Sequence, residues 1–492
     1  MRDVTILHIL NHVLTARTRI QKHNQRIKEL VQNNTTSESE EVGSKGGNNA
    51  VQQSADNDEK WRDQGFTRPK VLILCPTRGT ALDFVTRMLN LPGSSADVTN
   101  LNRFQEDFEV SLDDDDDDAN ARRKVVLRSK GVEWQELFGD QVNDDDDFKI
   151  GLSVSPKPPG GKKGGNKIGI KVYTDFLLSD IIVASPLSLK IFIEREDANA
   201  DFLSSIEICA MFHSDVLMMQ NWDHVLGTLN EINKQPKKTN VTDFSRVRNY
   251  ALAGQSKHWR QLIVFSKFND ACIQGTFKRH AKSIEGRVRL STKVEASEAS
   301  VCDVLVKVKQ VFQRVQCNTM STQGDCKLQY FVDKVLPQIL RLKQRRTLIY
   351  IPSYFDFVSV RNVLLKAEAN FVSVTEYARV SEVSRGRSRF QQGRKNIMLY
   401  TGRCHFFKRH VIKGARHLIF FGLPEHPEFY PGMVNILNDM GKVKTDSLNL
   451  EAQASCLCLF TKYDAHALER IVGTSHCGHM MKSEKSTFLF CS

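Results

Sequence analysis

Short apolar runs, each followed by a turn and a helical pattern, recur in two blocks along this chain of 492 residues. Apolar runs of four to eight residues are typical of strands buried on both faces of a sheet. Strands that alternate with helices favour parallel sheets. The sequence therefore predicts an α/β fold with two parallel-sheet lobes. The segments that contain these runs are 70–74, 179–189, 204–212 and 260–268 in the first block, and 346–354, 370–376, 396–402, 417–424 and 455–472 in the second; 179–189 and 455–472 also include the helix that follows the strand.

Composition and periodicity divide the chain further. Residues 5–31 carry an apolar stripe at helical spacing, whereas 32–60 hold almost no large apolar residues and predict a disordered linker. The connector also contains an alternating, strand-like stretch at Val301–Val308. The predicted parts are an N-terminal helix (1–31), a linker (32–61), a first lobe (62–290) with an acidic insertion (105–147) and a flexible Gly/Lys loop (157–167), a connector (291–326) and a second lobe (327–492).

Charge is distributed unevenly along the chain. The formal net charge is +12, but residues 105–147 hold 16 Asp/Glu against 5 Lys/Arg, so the remainder carries about +23. A strongly basic body favours a polyanionic partner, most simply nucleic acid. The acidic insertion, with its aspartate runs at 113–118 and 144–147, is expected to be a solvated surface segment that aids solubility or mimics nucleic acid toward basic partners.

Several classes of protein are disfavoured by the sequence. No apolar run approaches the 18–20 residues, roughly, of a membrane span. The 11 cysteines are odd in number and scattered, which fits reduced thiols in a cytosolic or nuclear protein. Cys456 and Cys458 alternate along a predicted strand, and "HCGH" (476–479) lacks a second close pair at zinc-finger spacing. We therefore predict no metal site and no cofactor.

Two strand-to-helix turns of the first lobe resemble nucleic-acid motifs of superfamily-two RNA helicases. "CPTRGTAL" (75–82) is similar to motif Ia and "VASPLSL" (183–189) to motif Ib. In such turns, backbone amides at a helix start and a hydroxyl or arginine can hold RNA phosphates. Either turn alone is commonly structural, but the two in this order favour RNA contact through Thr77, Arg78 and Ser185. The resemblance implies two RecA-like lobes.

ATP hydrolysis would need further parts that the sequence does not supply. A phosphate-binding loop requires G-x-x-x-x-G-K-[ST] between a strand and a helix. Neither "EVGSKGGNNA" (41–50) nor "GGKKGG" (160–165) has that spacing. At the position of the acidic magnesium motif the chain reads Phe212-His213-Ser214-Asp215, and the matching arginine-finger region, 428–439, contains no arginine. The coupling Ser-Ala-Thr element is replaced by Ser266-Lys267-Phe268. These losses predict a pseudo-helicase rather than an enzyme.

Longer blocks resemble one family. "HILNHVLTARTRIQKHN" (8–24), "DQGFTRPKVLILCPTR" (63–78), "LMMQNWDHV" (217–225), "TLIYIPSYFDFVSVRN" (347–362) and "YTGRCHFFKRHVIKGARHLIFFGLPEHPEFY" (400–430) are similar to the digestive organ expansion factor family of small nucleolar RNA-associated proteins. The resemblance implies a nucleolar factor of the small-subunit processome that acts in early 18S ribosomal RNA processing. The family's long acidic N-terminal extension is short or absent here, as in a divergent copy or an incomplete sequence.

The second lobe carries a basic stretch. Residues 371–410 hold 9 Lys/Arg against 2 Glu, and 384–396 are punctuated by glycine, which predicts a loop. Arginine suits bidentate phosphate contact, and Phe390 or Phe406 could stack a base. The alternative is a solvated loop with core aromatics, or a protein contact. The full set of predicted RNA-contact residues is Thr77, Arg78, Ser185, Arg385, Arg387, Arg389, Arg394, Lys395, Arg403, Lys408 and Arg409.

The sequence thus predicts a catalytically inactive, helicase-like scaffold of the nucleus and nucleolus. Its expected partners are pre-ribosomal RNA, small nucleolar RNA and processome proteins, with no membrane association. Two alternatives stay open: an active ATP-dependent RNA helicase with divergent motifs, and an adaptor that binds only proteins.

Overall fold

The computed structural model describes two compact units. The first comprises Met1–Lys267 and Cys272–Arg289, and the second comprises Phe268–Ala271 and Leu290–Ser492. The described residues are 2–37, 61–91, 96–109, 134, 143–156, 168–195, 199–238, 243–291, 293–341, 346–437 and 454–491. The glycine-containing stretches 41–50 and 160–165 and most of the acidic insertion lie outside these residues.

A seven-stranded mixed sheet forms the centre of the first unit, in the order β2-β4-β3-β5-β1-β6-β7. Strands β5, β1, β6 and β7 are parallel, whereas β3 pairs antiparallel with both β4 and β5. The strands are β1 (Val71–Leu74), β2 (Ala96–Thr99), β3 (Lys149–Pro156), β4 (Ile168–Val172), β5 (Ile181–Ala184), β6 (Ile208–Met211) and β7 (Gln261–Val264).

Helices cover both faces of this sheet. Val71 and Ile73 of β1 belong to one apolar cluster, and Leu72 and Leu74 belong to the cluster on the opposite face. Every residue of β1 is buried, which explains why the strand reads as an unbroken apolar run. The helices are α1 (Arg2–Ser37), α2 (Arg78–Asn90), α3 (Leu101–Phe108), α4 (Pro186–Ile193), α5 (Ser214–Gln220), α6 (Trp222–Glu231), α7 (Asn249–Leu252), α8 (Ser256–Trp259) and α9 (Ala271–His280).

The second unit also contains a seven-stranded sheet, in the order β10-β11-β9-β12-β13-β8-β14. All neighbouring strands are parallel except β14, which runs antiparallel to β8. The strands are β8 (Lys309–Arg314), β9 (Thr347–Ile351), β10 (Phe371–Val374), β11 (Ile397–Thr401), β12 (His417–Phe420), β13 (Ser455–Phe460) and β14 (Thr487–Cys491).

The helices of the second unit pack on both faces of its sheet, around two apolar clusters. A π-helical segment at Phe331–Val335 lies between α10 and α11. The helices are α10 (Gln323–Tyr330), α11 (Leu336–Arg341), α12 (Tyr354–Lys366), α13 (Val380–Gln391), α14 (Gly402–Lys408), α15 (Phe429–Val434), α16 (Ala465–Val472) and α17 (Thr474–Lys482).

The prediction of an α/β fold with two parallel-sheet units is confirmed, and three local predictions are corrected. The strand expected at Val301–Val308 is wrong, because a 3-10 turn occupies Ser300–Asp303 and the strand begins at Lys309. That strand, β8, lies within the predicted connector, yet it pairs with β13 and β14 inside the second sheet. Helix α1 extends to Ser37, so the start of the predicted linker is helical.

Candidate nucleic-acid interface

The two helicase-like turns of the first unit lie side by side. Strands β1 and β5 are parallel neighbours, and their last residues, Leu74 and Ala184, are in register. Thr77 caps α2 in a capping box with Thr80. Because both strands end at the same edge of the sheet, the N-termini of α2 and α4 point their backbone donors toward one region.

Ser185 caps α4 in the corresponding way. Its hydroxyl accepts a hydrogen bond from the backbone N–H of Ser188 at 3.0 Å. Thr77 and Ser185 are almost completely buried, with 1% and 0% of their surface exposed. Both side chains therefore act first as helix caps, which is the structural role that such turns commonly have.

A five-residue segment of the acidic insertion, Asn143–Asp147, lies against both turns; we call it the acidic strap. On the first turn, the backbone N–H of Arg78 donates to the Asp145 carbonyl at 2.9 Å. The backbone N–H of Gly79 donates to the Asn143 carbonyl at 3.1 Å. The strap therefore accepts hydrogen bonds from the backbone N–H groups that an RNA phosphate would need at the start of α2.

The strap makes equivalent contacts with the second turn. The hydroxyl of Ser185 donates to the Asp146 carbonyl, and the hydroxyl of Ser188 donates to the Asp147 carboxylate. The backbone N–H of Ser185 donates to the carbonyl of Phe148, the residue that follows the strap, at 3.1 Å. The chain thus places its own oxygen atoms at both helix starts.

The side chain of Arg78 completes this arrangement. Its Nε lies 2.8 Å from the Asp145 carboxylate. Its two terminal nitrogens donate to the carbonyls of Asp107 and Asp147 at 3.0 and 2.9 Å. The guanidinium also lies 5.5 Å from the ring centre of Phe108. Arg78 therefore joins the strap to α3 instead of projecting into solvent.

Burial also affects the acidity of the strap. Asp146 is half-buried, and this desolvation, together with the neighbouring charges of Asp145 and Asp147, raises the pKa of its carboxyl. The strap therefore carries somewhat less negative charge at mildly acidic pH than its aspartate count alone would give.

Apolar packing occupies the position of the magnesium motif. Phe212 stacks on Phe265 with ring centres 5.1 Å apart and also contacts Phe84. His213 adopts a left-handed conformation, with φ of 51°. The cavity beside these residues has a volume of about 10 Å³, which is space for about one water molecule. This cavity is far smaller than a nucleotide.

Ser214 and Asp215, the other residues at the position of the acidic magnesium motif, hold the local backbone together. The N–H of Ser214 donates to the Phe265 carbonyl at 2.8 Å. The carboxylate of Asp215 accepts the backbone N–H of Lys267 at 3.1 Å, and Asp215 is 1% exposed. Asp215 thereby joins the segments that follow β6 and β7.

The first sheet ends at β7, with β6 as the neighbour of that strand. Among the described residues, α1 is the only regular element that precedes β1. A phosphate-binding loop of the P-loop type follows a strand and opens a helix. The described part of the chain holds no such strand upstream of β1.

In the second unit, the stretch predicted as a glycine-punctuated loop is a helix. Arg385, Arg387 and Arg389 lie on α13. Gly386 faces β10, where an added Cβ atom would lie 2.7 Å from Cγ2 of Val372. The loop prediction is wrong because this glycine permits close helix–sheet packing and does not signal a turn.

The basic side chains on α13 and in the turn after it differ in solvent exposure. Arg385 and Arg389 are exposed and lie four residues apart on one face, whereas Arg387 is half-buried. Arg394 is exposed in the turn that follows the helix, and Lys395 is half-buried there. These residues form one basic cluster at the C-terminal half of α13.

A second basic group lies on α14 and engages aromatic rings. The Arg403 guanidinium lies 5.9 Å from the ring centre of Phe407, and that of Arg409 lies 4.5 Å from Phe429. Arg409 ends the helix in a left-handed conformation, with φ of 45°. Lys408 is exposed. The structure brings these three residues together on one short helix.

The predicted base-stacking aromatics are buried. Phe390 and Phe406 both have 0% of their surface exposed. The prediction that either could stack a base is wrong, because hydrophobic packing covers both rings. Phe390 faces the sheet with Val383 and Gly386 along the buried side of α13.

Neither a metal cluster nor a membrane span is found in the part of the chain that the structure describes. No group of three or more His, Cys, Asp or Glu in these ranges could hold a metal ion. The sulfur atoms of Cys456 and Cys458 lie 3.8 Å apart on β13, and both are buried. Within the same ranges, no helix has the length and hydropathy needed to cross a bilayer.

Sequence reasoning missed the acidic strap. It treated the aspartates at 144–147 as solvated, although the apolar stretch "FKIGLSV" that follows them becomes β3 and passes beside β5. An aspartate run joined directly to a strand was the available signal.

Two family models match this chain. Residues 1–288 match "UTP25, NTP hydrolase-like domain", and residues 300–490 match "Utp25, C-terminal domain". The human protein described as "U3 small nucleolar RNA-associated protein 25 homolog" is 35% identical over 497 residues, covering 100% of this chain and 59% of the relative.

Two other relatives show similar values. "U3 small nucleolar RNA-associated protein 25" of Pyricularia oryzae is 34% identical and is covered to 62% of its length, with 100% of this chain included. "Protein NUCLEOLAR FACTOR 1" of Arabidopsis thaliana is 34% identical, with 99% of this chain and 61% of the relative covered. The chain therefore spans about three-fifths of the length of the curated relatives it matches.

Among solved structures, Saccharomyces cerevisiae Dbp5 bound to RNA and ADP BeF3 is similar at 12% identity and a TM-score of 0.27, over 88% of this chain and 81% of that one.

Proposed function

This chain belongs to the UTP25 family, and we propose on that premise that it is a nucleolar scaffold of the small-subunit processome. The match of the whole chain to relatives named as U3 small nucleolar RNA-associated proteins carries the proposal and agrees with the family resemblance of the sequence blocks. The proposed work is placement of pre-ribosomal RNA, small nucleolar RNA or their proteins during early 18S ribosomal RNA processing.

The proposed location follows from the same relatives. One of them is named as a nucleolar factor and two as proteins associated with U3 small nucleolar RNA. A U3-associated protein acts where that RNA acts, so nucleus and nucleolus are the proposed compartments. The basic body of the chain, at about +23 outside residues 105–147, suits a partner rich in phosphate.

We further propose that the NTP hydrolase-like domain does not turn over ATP. Phe212 packs in an aromatic cluster where a magnesium-binding carboxylate would be needed. The cavity beside it is too small for a nucleotide. Residues 428–439 contain no arginine to stabilise a transferring phosphoryl group. Each feature removes a different requirement of hydrolysis, which favours a scaffold.

RNA contact is proposed chiefly for the basic cluster at Arg385, Arg389, Arg394 and Lys395 in the second unit. Arg385, Arg389 and Arg394 are exposed and Lys395 is half-buried, and within the described part of the chain none of the four forms an ion pair with a carboxylate. Arg403, Lys408 and Arg409 on α14 extend the proposed basic surface. Arg387 contributes less, because it is half-buried.

The first unit contributes to the proposed RNA site only under a condition. Arg78 and Ser185 bind the acidic strap, and Thr77 is buried as the cap of α2. An RNA phosphate therefore reaches these turns only when the strap moves away. The sequence alone placed these three residues on equal terms with those of the second unit. Because of the strap, we rank these three residues below those of the second unit as proposed RNA contacts.

Ultraviolet crosslinking of RNA to the protein in cells tests the main proposal. Reads on pre-ribosomal spacer and on the processome's small nucleolar RNA would support it. Processome proteins that remain bound after nuclease treatment, without RNA crosslinks, would instead identify an adaptor that binds only proteins.

Purified protein tests the absence of ATP turnover. Phosphate release should stay at background with and without single-stranded RNA and magnesium. RNA-stimulated release that is lost on mutation of this chain would establish an active helicase and refute the scaffold proposal.

A further inference from the structure

An open concavity on the first unit is not part of the helicase-like turns. Its volume is about 450 Å³, within the usual range of small-molecule sites. The residues that line it are Arg62, Arg248, Asn249, Tyr250 and Trp259. We propose that this concavity binds one unpaired nucleotide of an RNA strand, an inference that rests on the proposed function.

The concavity lies at the opposite end of the sheet from the strap. Helices α7 and α8 immediately precede β7, so Tyr250 and Trp259 lie near the amino end of that strand. The strap contacts the turns that follow the carboxyl ends of β1 and β5. Because β1, β5, β6 and β7 are parallel, these two regions are separate sites.

Two aromatic rings form a stacking platform in the concavity. The rings of Tyr250 and Trp259 are stacked, with centres 4.9 Å apart and planes at 21°. Trp259 keeps 52% of its surface exposed, which is unusual for so large an apolar side chain. Tyr250 supports one face of the indole, and a nucleobase can stack on the other.

Neighbouring backbone and side-chain groups hold two guanidinium groups beside this platform. Nη1 of Arg62 donates to the Val247 carbonyl at 2.7 Å. Nη1 of Arg248 donates to the Glu207 carboxylate at 2.9 Å and to the Tyr250 hydroxyl at 2.8 Å. These contacts fix both side chains in place before any ligand binds.

The same arginines retain donors for a ligand. A guanidinium carries five N–H donors, and the contacts described for Arg62 and Arg248 within the described residues all use Nη1. The donors on Nε and Nη2 suit phosphate oxygens. A flat platform and phosphate donors in one concavity fit a nucleotide, whereas the arginines disfavour a cationic ligand.

The test measures binding of a fluorescein-labelled 12-nucleotide oligouridylate to the full chain by fluorescence anisotropy. Trp259→Ala should weaken binding about tenfold, as removal of a stacking ring typically does. Trp259→Phe, which keeps a ring, should restore most of the affinity. Leu178→Ala is the control, because Leu178 is an exposed apolar residue of the same unit outside the concavity.

Photocrosslinking of the same oligonucleotide carrying 5-iodouridine provides the second measurement. A crosslinked peptide that contains Tyr250 or Trp259 is expected in the parent chain, and its loss is expected in Trp259→Ala. Unchanged thermal unfolding of the variants excludes misfolding as the cause of weaker binding.

The outcomes separate this inference from the function it rests on. If Trp259→Ala binds like Leu178→Ala while Arg385→Ala binds more weakly, the nucleotide pocket is refuted and the RNA-binding function stands. If Trp259→Ala leaves RNA binding intact but loses a purified processome protein, the concavity is a protein site and the inference is wrong. If the parent chain binds no RNA, this inference and the proposed RNA contact both fail.

Discussion

The guanidinium of Arg78 and the carboxylate of Asp145 form an ion pair at 2.8 Å, between a turn that resembles an RNA-binding motif and the chain's own acidic strap. The two residues are 67 positions apart in the sequence. The pair belongs to a set of contacts in which oxygen atoms of the strap accept hydrogen bonds from backbone and side-chain groups at both helix starts. An RNA strand that bound these turns as proposed would compete with the strap for these donors.

Weakening the strap should raise the affinity for RNA. The double substitution Asp145→Asn and Asp147→Asn removes the carboxylates that pair with Arg78 and Ser188, so phosphates can compete for those donors. We expect single-stranded RNA to bind several-fold tighter by fluorescence anisotropy. Loss of the partly exposed ion pair should cost under about 1 kcal/mol of stability.

Asp144→Asn is the matched control for this prediction. It removes one negative charge from an exposed strap residue outside the contacts with both turns. If the double variant and Asp144→Asn gain the same affinity per charge removed, the gain reflects a general charge effect and contradicts competition by the strap. Adding Arg78→Ala to the double variant should abolish the gain.

Removal of positive charge from α13 should lower the affinity for RNA and make that affinity less dependent on salt concentration. Arg385→Ala and Arg389→Ala each remove an exposed guanidinium from one helix face. Each lost phosphate contact lowers the slope of log affinity against log salt concentration by about 0.7 for a single strand. Titrations at several salt concentrations measure that slope. Arg361→Ala, on the exposed side of α12, should leave it unchanged.

Substitution of Gly386 should destabilise the second unit. The added methyl of Gly386→Ala would lie 2.7 Å from Cγ2 of Val372, so α13 or β10 must shift. Overpacking of this kind costs about 1–3 kcal/mol, offset by about 1 kcal/mol of gained helix propensity. Urea unfolding followed by circular dichroism measures the difference.

Gly478→Ala provides the comparison within the same unit. Gly478 lies in α17, and an added Cβ there meets no atom within 4 Å. This variant should be as stable as the parent chain or slightly more stable. Equal effects of the two substitutions would mean that Gly386 has no special packing role.

Mild acid should destabilise the first unit through His213. Burial lowers the pKa of this imidazole from 6.5 to about 4, with Arg2 lowering it further and Asp83 raising it. The unfolded chain therefore binds the proton more readily than the folded chain, so stability rises with pH. The stabilising contribution is complete above pH 6.5 and is lost as the pH falls toward 4.

His213→Asn should flatten this pH dependence. Asparagine tolerates the left-handed conformation at φ of 51° and does not titrate. The slope of unfolding free energy against pH between 4 and 6.5 should decrease by up to about one proton. His479→Asn, at an exposed histidine of the second unit, should leave the slope of the first unit's transition unchanged.

Strands buried on both faces were predictable from the sequence. Val71–Leu74 and Ile397–Thr401 are fully buried and read as apolar runs, so their positions and their parallel pairing followed from residue type. Strands β2 and β4 were not anticipated, because Ala96–Thr99 and Ile168–Val172 are short and carry polar or glycine residues. Their pairing depends on neighbours that are distant in sequence.

The candidate site was predicted only in part. The turns at Thr77 and Ser185 lie where the strand pattern placed them, but their occupation by residues 143–147 depends on tertiary contacts that local patterns do not encode. Gly386 of α13 led to a different error, because a loop was predicted where the structure has a helix. A glycine that permits close packing and a glycine that signals a loop look the same in a single sequence.

Helix α1 has a practical consequence for anyone who prepares the first unit alone. Its side chains Ile6, Ile9, Leu10 and Val13 are at most 3% exposed within the first core, and His12 contacts Glu207 at 2.7 Å. A truncation that begins just before β1 would expose the apolar surface that α1 covers and promote aggregation. Recombinant fragments should therefore keep residues 2–37 attached.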